Sequence, residues 1–142
     1  MILADSSAWI EYDRATGSSV DRRVQQLIES EAALAVTEPV VMEVLAGARD
    51  DKREADLRRL LLRCELLGFD AVVDFEAAAQ IYRRCRRIGV TPRGMVECMI
   101  AAVAWRHEAT LLARDADLQR VAQVMGIPVD VASTEVTFVT DQ

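Results

Sequence analysis

Ile2-Leu3-Ala4-Asp5-Ser6-Ser7-Ala8-Trp9-Ile10-Glu11-Tyr12 is a brief apolar run that stops at an acid and passes into a segment that Ser6 and Ser7 can cap as a helix. A strand therefore feeds a helix directly, with a carboxylate at the junction. The same arrangement recurs twice. Leu34-Ala35-Val36 reads as a strand followed by Thr37-Glu38-Pro39, a helix start with a capping hydroxyl, an early acid and a proline in the first turn, and Val41, Val44, Leu45 and Ala48 form its apolar stripe. Residues 110–113, Thr-Leu-Leu-Ala, read as a strand ahead of a helix over 116–125 that Gly126 closes.

Between these units the period is helical. Val20, Val24, Leu27 and Ile28 follow the Gly17-Ser18-Ser19 punctuation; residues 50–63 are charge-dense with Leu57, Leu60 and Leu61 on one side; residues 74–88 carry Phe75, Ala78, Ala79 and Tyr82 and end at Gly89. Pro92 and Gly94 open a further helix with Val96, Met99, Ile100 and Val103 at i, i+3, i+4 and i+7. Residues 66–69 read as a short strand or turn, and 128–131 and 136–139 are candidate edge strands. Strands interleaved with helices predict an α/β fold, a three-layer α/β/α sandwich around a mostly parallel sheet.

The 142 residues fit one domain spanning 1–142. With 51% hydrophobic and 28% charged residues, disorder and coiled-coil composition are disfavoured. Seventeen basic against 23 acidic side chains give a net charge of −6, which argues against a generic nucleic-acid coat but leaves room for a local basic patch. Cys64, Cys85 and Cys98 are odd in number and form no CxxC pair, so reduced thiols and a cytoplasmic setting are expected, with no legible zinc motif. The longest apolar run, 98–105, is far short of the ~20 residues of a membrane span, and no export or anchoring segment is expected.

In an open parallel sheet, ligands bind outside the carboxyl ends of the strands. Asp5 and Asp115 sit at two such ends; taken alone, each reads as a helix N-cap. Glu97 is the only charge between Arg93 and Arg106, and a carboxylate beside a core stripe is rarely buried unless it is paired or coordinated. Glu43, between Met42 and Val44, repeats the pattern. Were the four to converge, two like charges 4 Å apart would already cost ~4 kcal/mol at an effective dielectric of 20, so a cation would be required. Oxygen-only ligands select hard ions, Mg²⁺ or Mn²⁺, which suit phosphodiester hydrolysis.

Four blocks now stand in order: Asp5-Ser6-Ser7-Ala8-Trp9, Glu43 within Glu38-Pro39-Val40-Val41-Met42-Glu43-Val44-Leu45-Ala46-Gly47, Glu97-Cys98-Met99-Ile100-Ala101-Ala102, and Arg114-Asp115-Ala116-Asp117-Leu118. Together they resemble the PIN-domain ribonucleases, in particular the VapC toxins of bacterial VapBC toxin–antitoxin pairs. The resemblance implies a PIN-like fold and an endoribonuclease, dependent on Mg²⁺ or Mn²⁺, that cuts particular RNAs of the tRNA or rRNA class. It also implies inhibition by a VapB-type antitoxin, a homodimer, and a heterotetramer or larger assembly with the antitoxin. Carried over by position, Asp5, Glu43, Glu97 and Asp115 form the catalytic, metal-binding quartet, Ser7 supports Asp5, and Asp117 is an acid of the next tier near metal or water. Two positions depart from the family: Glu97 where Asp is usual, and Ala113 where a hydroxyl is common.

Residues 77–96 hold no acid but five arginines, at 83, 84, 86, 87 and 93. Arg93, one helical turn before Glu97, and Arg86 are candidates for RNA or antitoxin contact, whereas Arg83, Arg84 and Arg87 also read as a solvated helix face. Trp9, Tyr12, Tyr82 and Trp105 read as core packing, the methionines as core filler, and His107 as the end of its helix. A receiver-like Mg²⁺ module and a degenerate nuclease kept for protein binding are the competing readings. An aspartyl phosphatase would want an acid where Ser7 stands, and P-loop chemistry lacks its motif.

Overall fold

The computed structural model describes residues 1–135. Four short parallel strands lie in the order β3-β2-β1-β4: β1 is Ile2–Ala4, β2 Leu34–Val36, β3 Glu65–Leu66 and β4 Thr110–Leu112. The helices are α1 (Ser6–Asp13), α2 (Ser19–Glu29), α3 (Glu38–Ala46), α4 (Asp51–Leu61), α5 (Val73–Arg87), α6 (Met95–Arg106) and α7 (Ala116–Met125). The expected α/β architecture, with helices around an all-parallel sheet, is therefore present. The chain proceeds outward from β1 through β2 to β3 and then returns to place β4 on the other side of β1. That reversal makes the carboxyl ends of β1 and β4 the switch point of the sheet, the place where such sheets bind ligands.

β1 is the hinge of this arrangement. Ile2 pairs with Leu34 on one side and with Thr110 on the other, and the Asp5 amide still donates to the Leu112 carbonyl at 2.9 Å after β1 has ended. β2 is buried throughout, Leu3, Leu111 and Leu112 are fully buried with Trp9 of α1, and the edge strand β3 is exposed. Trp9 meets Tyr12 edge-on at 6.1 Å, as its expected packing role requires. α6 is buried nearly all round through Cys98 and Ile100–Ala104; its alanines let α5 and α7 approach closely. Burial pushes the Cys98 thiol up to about 12, so it acts as a small hydrophobe.

Several local expectations are corrected. The Thr37 hydroxyl makes no cap hydrogen bond and instead donates to Glu38 Oε2 at 3.4 Å, while Pro39 in the first turn has no N–H to offer. Pro39, Val40 and Val44 are the buried face of α3, while Val41 and Leu45 are only half-buried. On α5 the inward stripe is Asp74, Ala78, Ile81 and Cys85, so Phe75 and Ala79 face outward, and Phe75 packs instead against Phe69 at 4.8 Å. The cause is Asp74, a charge that belongs to the core stripe. Trp105 is 59% exposed, and Met1, Met42 and Met95 are exposed rather than core filler.

β3 confirms a strand near 66. Around 128–131 there is only a single bridge, Leu111 to Val129, before a 3₁₀ turn at Val131–Ser133. The expected strand at 136–139 lies outside the described residues. Gly126 adopts φ +69°, the left-handed conformation that ends α7, and His107 occupies the C-cap of α6. No helix among the described residues is long and apolar enough to cross a membrane.

Candidate active site

Asp5 terminates β1 and caps α1. Its Oδ2 accepts the Ser7 amide at 3.1 Å and the Ser7 hydroxyl at 2.6 Å, and the residue is 3% exposed. Asp115 follows β4 and caps α7 by accepting the Asp117 and Leu118 amides. The plain capping role is thus real for both, and it puts both carboxylates at the same end of the sheet: the cap that starts each helix follows directly on a strand.

Glu43 and Glu97 reach the same region from helices. Glu43 stands in the middle of α3, where the Ser6 hydroxyl donates to its Oε1 at 2.8 Å. Ser6 is a partner the sequence did not reveal, since its bond spans 37 positions. Glu97 lies in the first turn of α6, and its Oε2 is buried with no hydrogen-bond partner. Gly94 makes room for it: a Cβ at that position would lie 3.2 Å from Glu97 Oε2.

Charge ties the four together. Burial raises the Asp5 carboxyl above its usual range, the Ser7 hydrogen bonds pull it back in part, and repulsion from Glu43 and Asp115 adds to the rise. Burial likewise raises Glu97; its own amide lowers it, Asp115 and Asp117 repel it, and Arg93 offers partial relief. Asp5 therefore shares one electrostatic field with Glu43 and Asp115, and Glu97 joins through Asp115. The acids do not, however, close into a tight cage. Among the described residues, no group of three or more acid, Cys or His side chains stands close enough to hold a metal ion. Each carboxylate but Glu97 is turned toward a donor: Asp5 to Ser7, Glu43 to Ser6, and Asp115 to its helix amides and Arg93.

The supporting residues separate into distinct jobs. The Ser7 hydroxyl accepts the Arg114 amide at 2.9 Å while donating to Asp5, so it couples the ends of β1 and β4. Arg114 also pairs with Glu11 of α1, a contact missed from the sequence. Asp117 is buried and engaged: Oδ2 accepts the Arg93 amide at 2.6 Å and Oδ1 meets Arg120 at 3.5 Å, which fixes the approach to α6. The Ala113 amide donates to the Ser133 hydroxyl at 3.0 Å, so a hydroxyl from 20 positions away serves the segment where residue 113 has none. Arg93 is exposed and reaches Asp115 at 3.4 Å; Arg86 is exposed over the Tyr82 ring at 5.9 Å.

A PIN-domain family model matches residues 2–124. The chain is 47% identical over 128 residues to VapC ribonuclease Mb1587 of Mycobacterium bovis, covering 89% of this chain and 96% of that one. Identity and coverage are the same against ribonuclease VapC11 of Mycobacterium tuberculosis. Among solved structures, VapBC2 from Rickettsia felis, bound to a promoter DNA fragment, is similar with TM-score 0.72 and 17% identity, over 92% of this chain and 98% of that chain.

Proposed function

Because this chain belongs to the PIN-domain family of VapC ribonucleases, we propose that it is an endoribonuclease that uses Asp5, Glu43, Glu97 and Asp115 as a divalent-metal site. It would be the toxin of a toxin–antitoxin pair, acting in the cytoplasm on an RNA of the tRNA or rRNA class. A VapB-type antitoxin would hold it inactive, with a homodimer as the core of the complex. The near relatives are ribonucleases, and the Rickettsia neighbour is a toxin–antitoxin complex.

One observation supports the metal assignment above the others: a buried carboxylate oxygen, Glu97 Oε2, without a partner and in the field of other acids. A buried acceptor left unsatisfied costs about 1–3 kcal/mol, more if charged, and a hard cation would satisfy it. The donor set is all oxygen, which fits Mg²⁺ or Mn²⁺. Such an ion, when bound, supplies positive charge to the phosphodiester oxygens and makes water a competent nucleophile near neutral pH.

The chain's own part is positioning. Ser7 orients Asp5, Ser6 orients Glu43, Asp117 holds the backbone of Arg93 ahead of Glu97, and the Arg93 guanidinium stands ready to leave Asp115 for a substrate phosphate.

The purified protein should cleave RNA in Mg²⁺ or Mn²⁺ and stop when the ion is chelated; cleavage that continues in excess chelator rejects the metal site. Protein that binds antitoxin but cuts no RNA under any divalent ion would instead favour the non-catalytic reading. Ser7→Ala, which removes both the hydroxyl on Asp5 and the acceptor for the Arg114 amide, should reduce metal affinity or cleavage about 10–100-fold, as loss of an outer-shell partner does. Titration of cleavage rate against Mg²⁺ measures it, and an unchanged half-saturation and rate would show that Ser7 acts only on helix α1.

A further inference from the structure

An acidic protein that works on a polyanion faces a simple problem. A site built from four carboxylates repels RNA, and attraction must come from somewhere near it on the same molecule. Eight arginines form ion pairs among the described residues: 23, 53, 58, 59, 93, 106, 114 and 120. The four arginines of the C-terminal half of α5 are not among these, and all four are exposed.

Three of them, Arg83, Arg86 and Arg87, stand at i, i+3 and i+4 of α5 around a shallow surface depression. The Tyr82 ring lies beneath Arg86. Their position relative to the acids follows from the packing. Cys85, the inward residue of this turn, is buried and in the electrostatic field of Asp117, whose carboxylate accepts the Arg93 amide. The arginines are thus on the outer side of a helical turn whose inner side packs toward α6 and α7, the helices that carry Glu97 and Asp117. Short connecting residues 88–94 run from this turn directly to Arg93.

We propose that Arg83, Arg86 and Arg87 form a phosphate-binding site for the RNA strand outside the catalytic carboxylates, with Arg93 as the bridge between them. The proposal rests on the ribonuclease reading and adds to it a substrate contact. RNA is favoured over an acidic antitoxin segment because three exposed guanidinium groups on one helix face suit the phosphate oxygens of a strand that must continue away from the acids. Guanidinium planes next to an aromatic ring also offer stacking surface to bases.

The test measures binding of a fluorescent single-stranded RNA oligonucleotide to the full chain in excess chelator, so that no turnover is needed. The triple variant Arg83→Gln, Arg86→Gln, Arg87→Gln should bind at least about tenfold more weakly at low salt. The slope of log affinity against log salt should fall by about 2, as expected when three contacts at roughly 0.7 each are lost. The triple variant with lysines at the same positions should restore most of the slope, which separates lost charge from a damaged helix. An unchanged affinity and slope in the glutamine variant overturns the proposal, and so does weakened capture of the antitoxin with RNA binding intact. Failure of the ribonuclease reading is seen separately, as RNA binding without cleavage once the divalent ion is supplied.

Discussion

Asp5→Asn should lower RNA cleavage by about 10²–10³-fold while the melting temperature stays the same or rises slightly. The substitution removes one anionic ligand from the proposed metal site, and several kcal/mol of charge stabilisation at the phosphate is the usual scale of that contribution, with 1.36 kcal/mol per tenfold. The fold should tolerate it because the asparagine oxygen can still accept the Ser7 amide and hydroxyl that Asp5 accepts now. The site should also be less strained electrostatically. Asp5 is buried and repelled by Glu43 and Asp115, so its charge opposes folding instead of supporting it. Cleavage rate and thermal melting on the same preparation check both halves, and a variant that cuts at the parental rate would remove Asp5 from the catalytic set.

Arg106→Ala should be strongly destabilising, by about 3 kcal/mol, or a fall of roughly 10 °C in melting temperature for a chain of this size. Arg106 reaches Asp74 with two hydrogen bonds, of 2.9 and 2.7 Å, and the Gly68 carbonyl with a third of 2.7 Å. Asp74 is fully buried. Without the guanidinium, its charge would keep only the Asp70 amide at 2.7 Å. Asp74→Asn in the Arg106→Ala background should recover part of the loss by removing the stranded charge.

Acid tests the same pair. Burial alone would raise the Asp74 carboxyl, but the Arg106 hydrogen bonds, the Asp70 amide and the Arg106 charge outweigh it and hold it below the ordinary carboxylate range. The folded value is therefore depressed. The stabilisation is complete above about pH 4, where an unfolded Asp ionises, and is lost as pH falls through the folded value. In Arg106→Ala that acid-side loss should shrink. Chemical denaturation between pH 3 and 7 measures it, and an identical pH dependence in both proteins would show that the pair contributes nothing to stability.

The two predictions draw on residues of different legibility. Asp5 and Asp115 were visible because strand ends and helix caps are local features, decided by a few neighbouring residues. Glu43 and Glu97 were visible as charges out of place on apolar helices. Asp74 was not, because an acid in the first turn of a helix ordinarily faces water; only Arg106, 32 positions later, makes its burial tolerable. The inward face of α5 was misjudged for the same reason, since Phe75 looks more hydrophobic than the aspartate beside it. Trp105 was placed in the core by its helical spacing, yet the small residues before it are the buried ones and Trp105 itself is exposed.

Local periodicity, caps and the βα junctions determined the alternation of strands and helices and the parallel sheet, and marked the four acids as candidates, because each depends on spacing within a few turns of chain. The tertiary structure alone decided that β4 returns beside β1, that Ser6 and Ser7 hold Glu43 and Asp5, and that the arginines of α5 stay exposed on the side of the helix opposite its buried Cys85. Those outcomes depend on contacts between residues far apart in the chain, whose geometry is set when the whole core packs and the helices settle into one rotation.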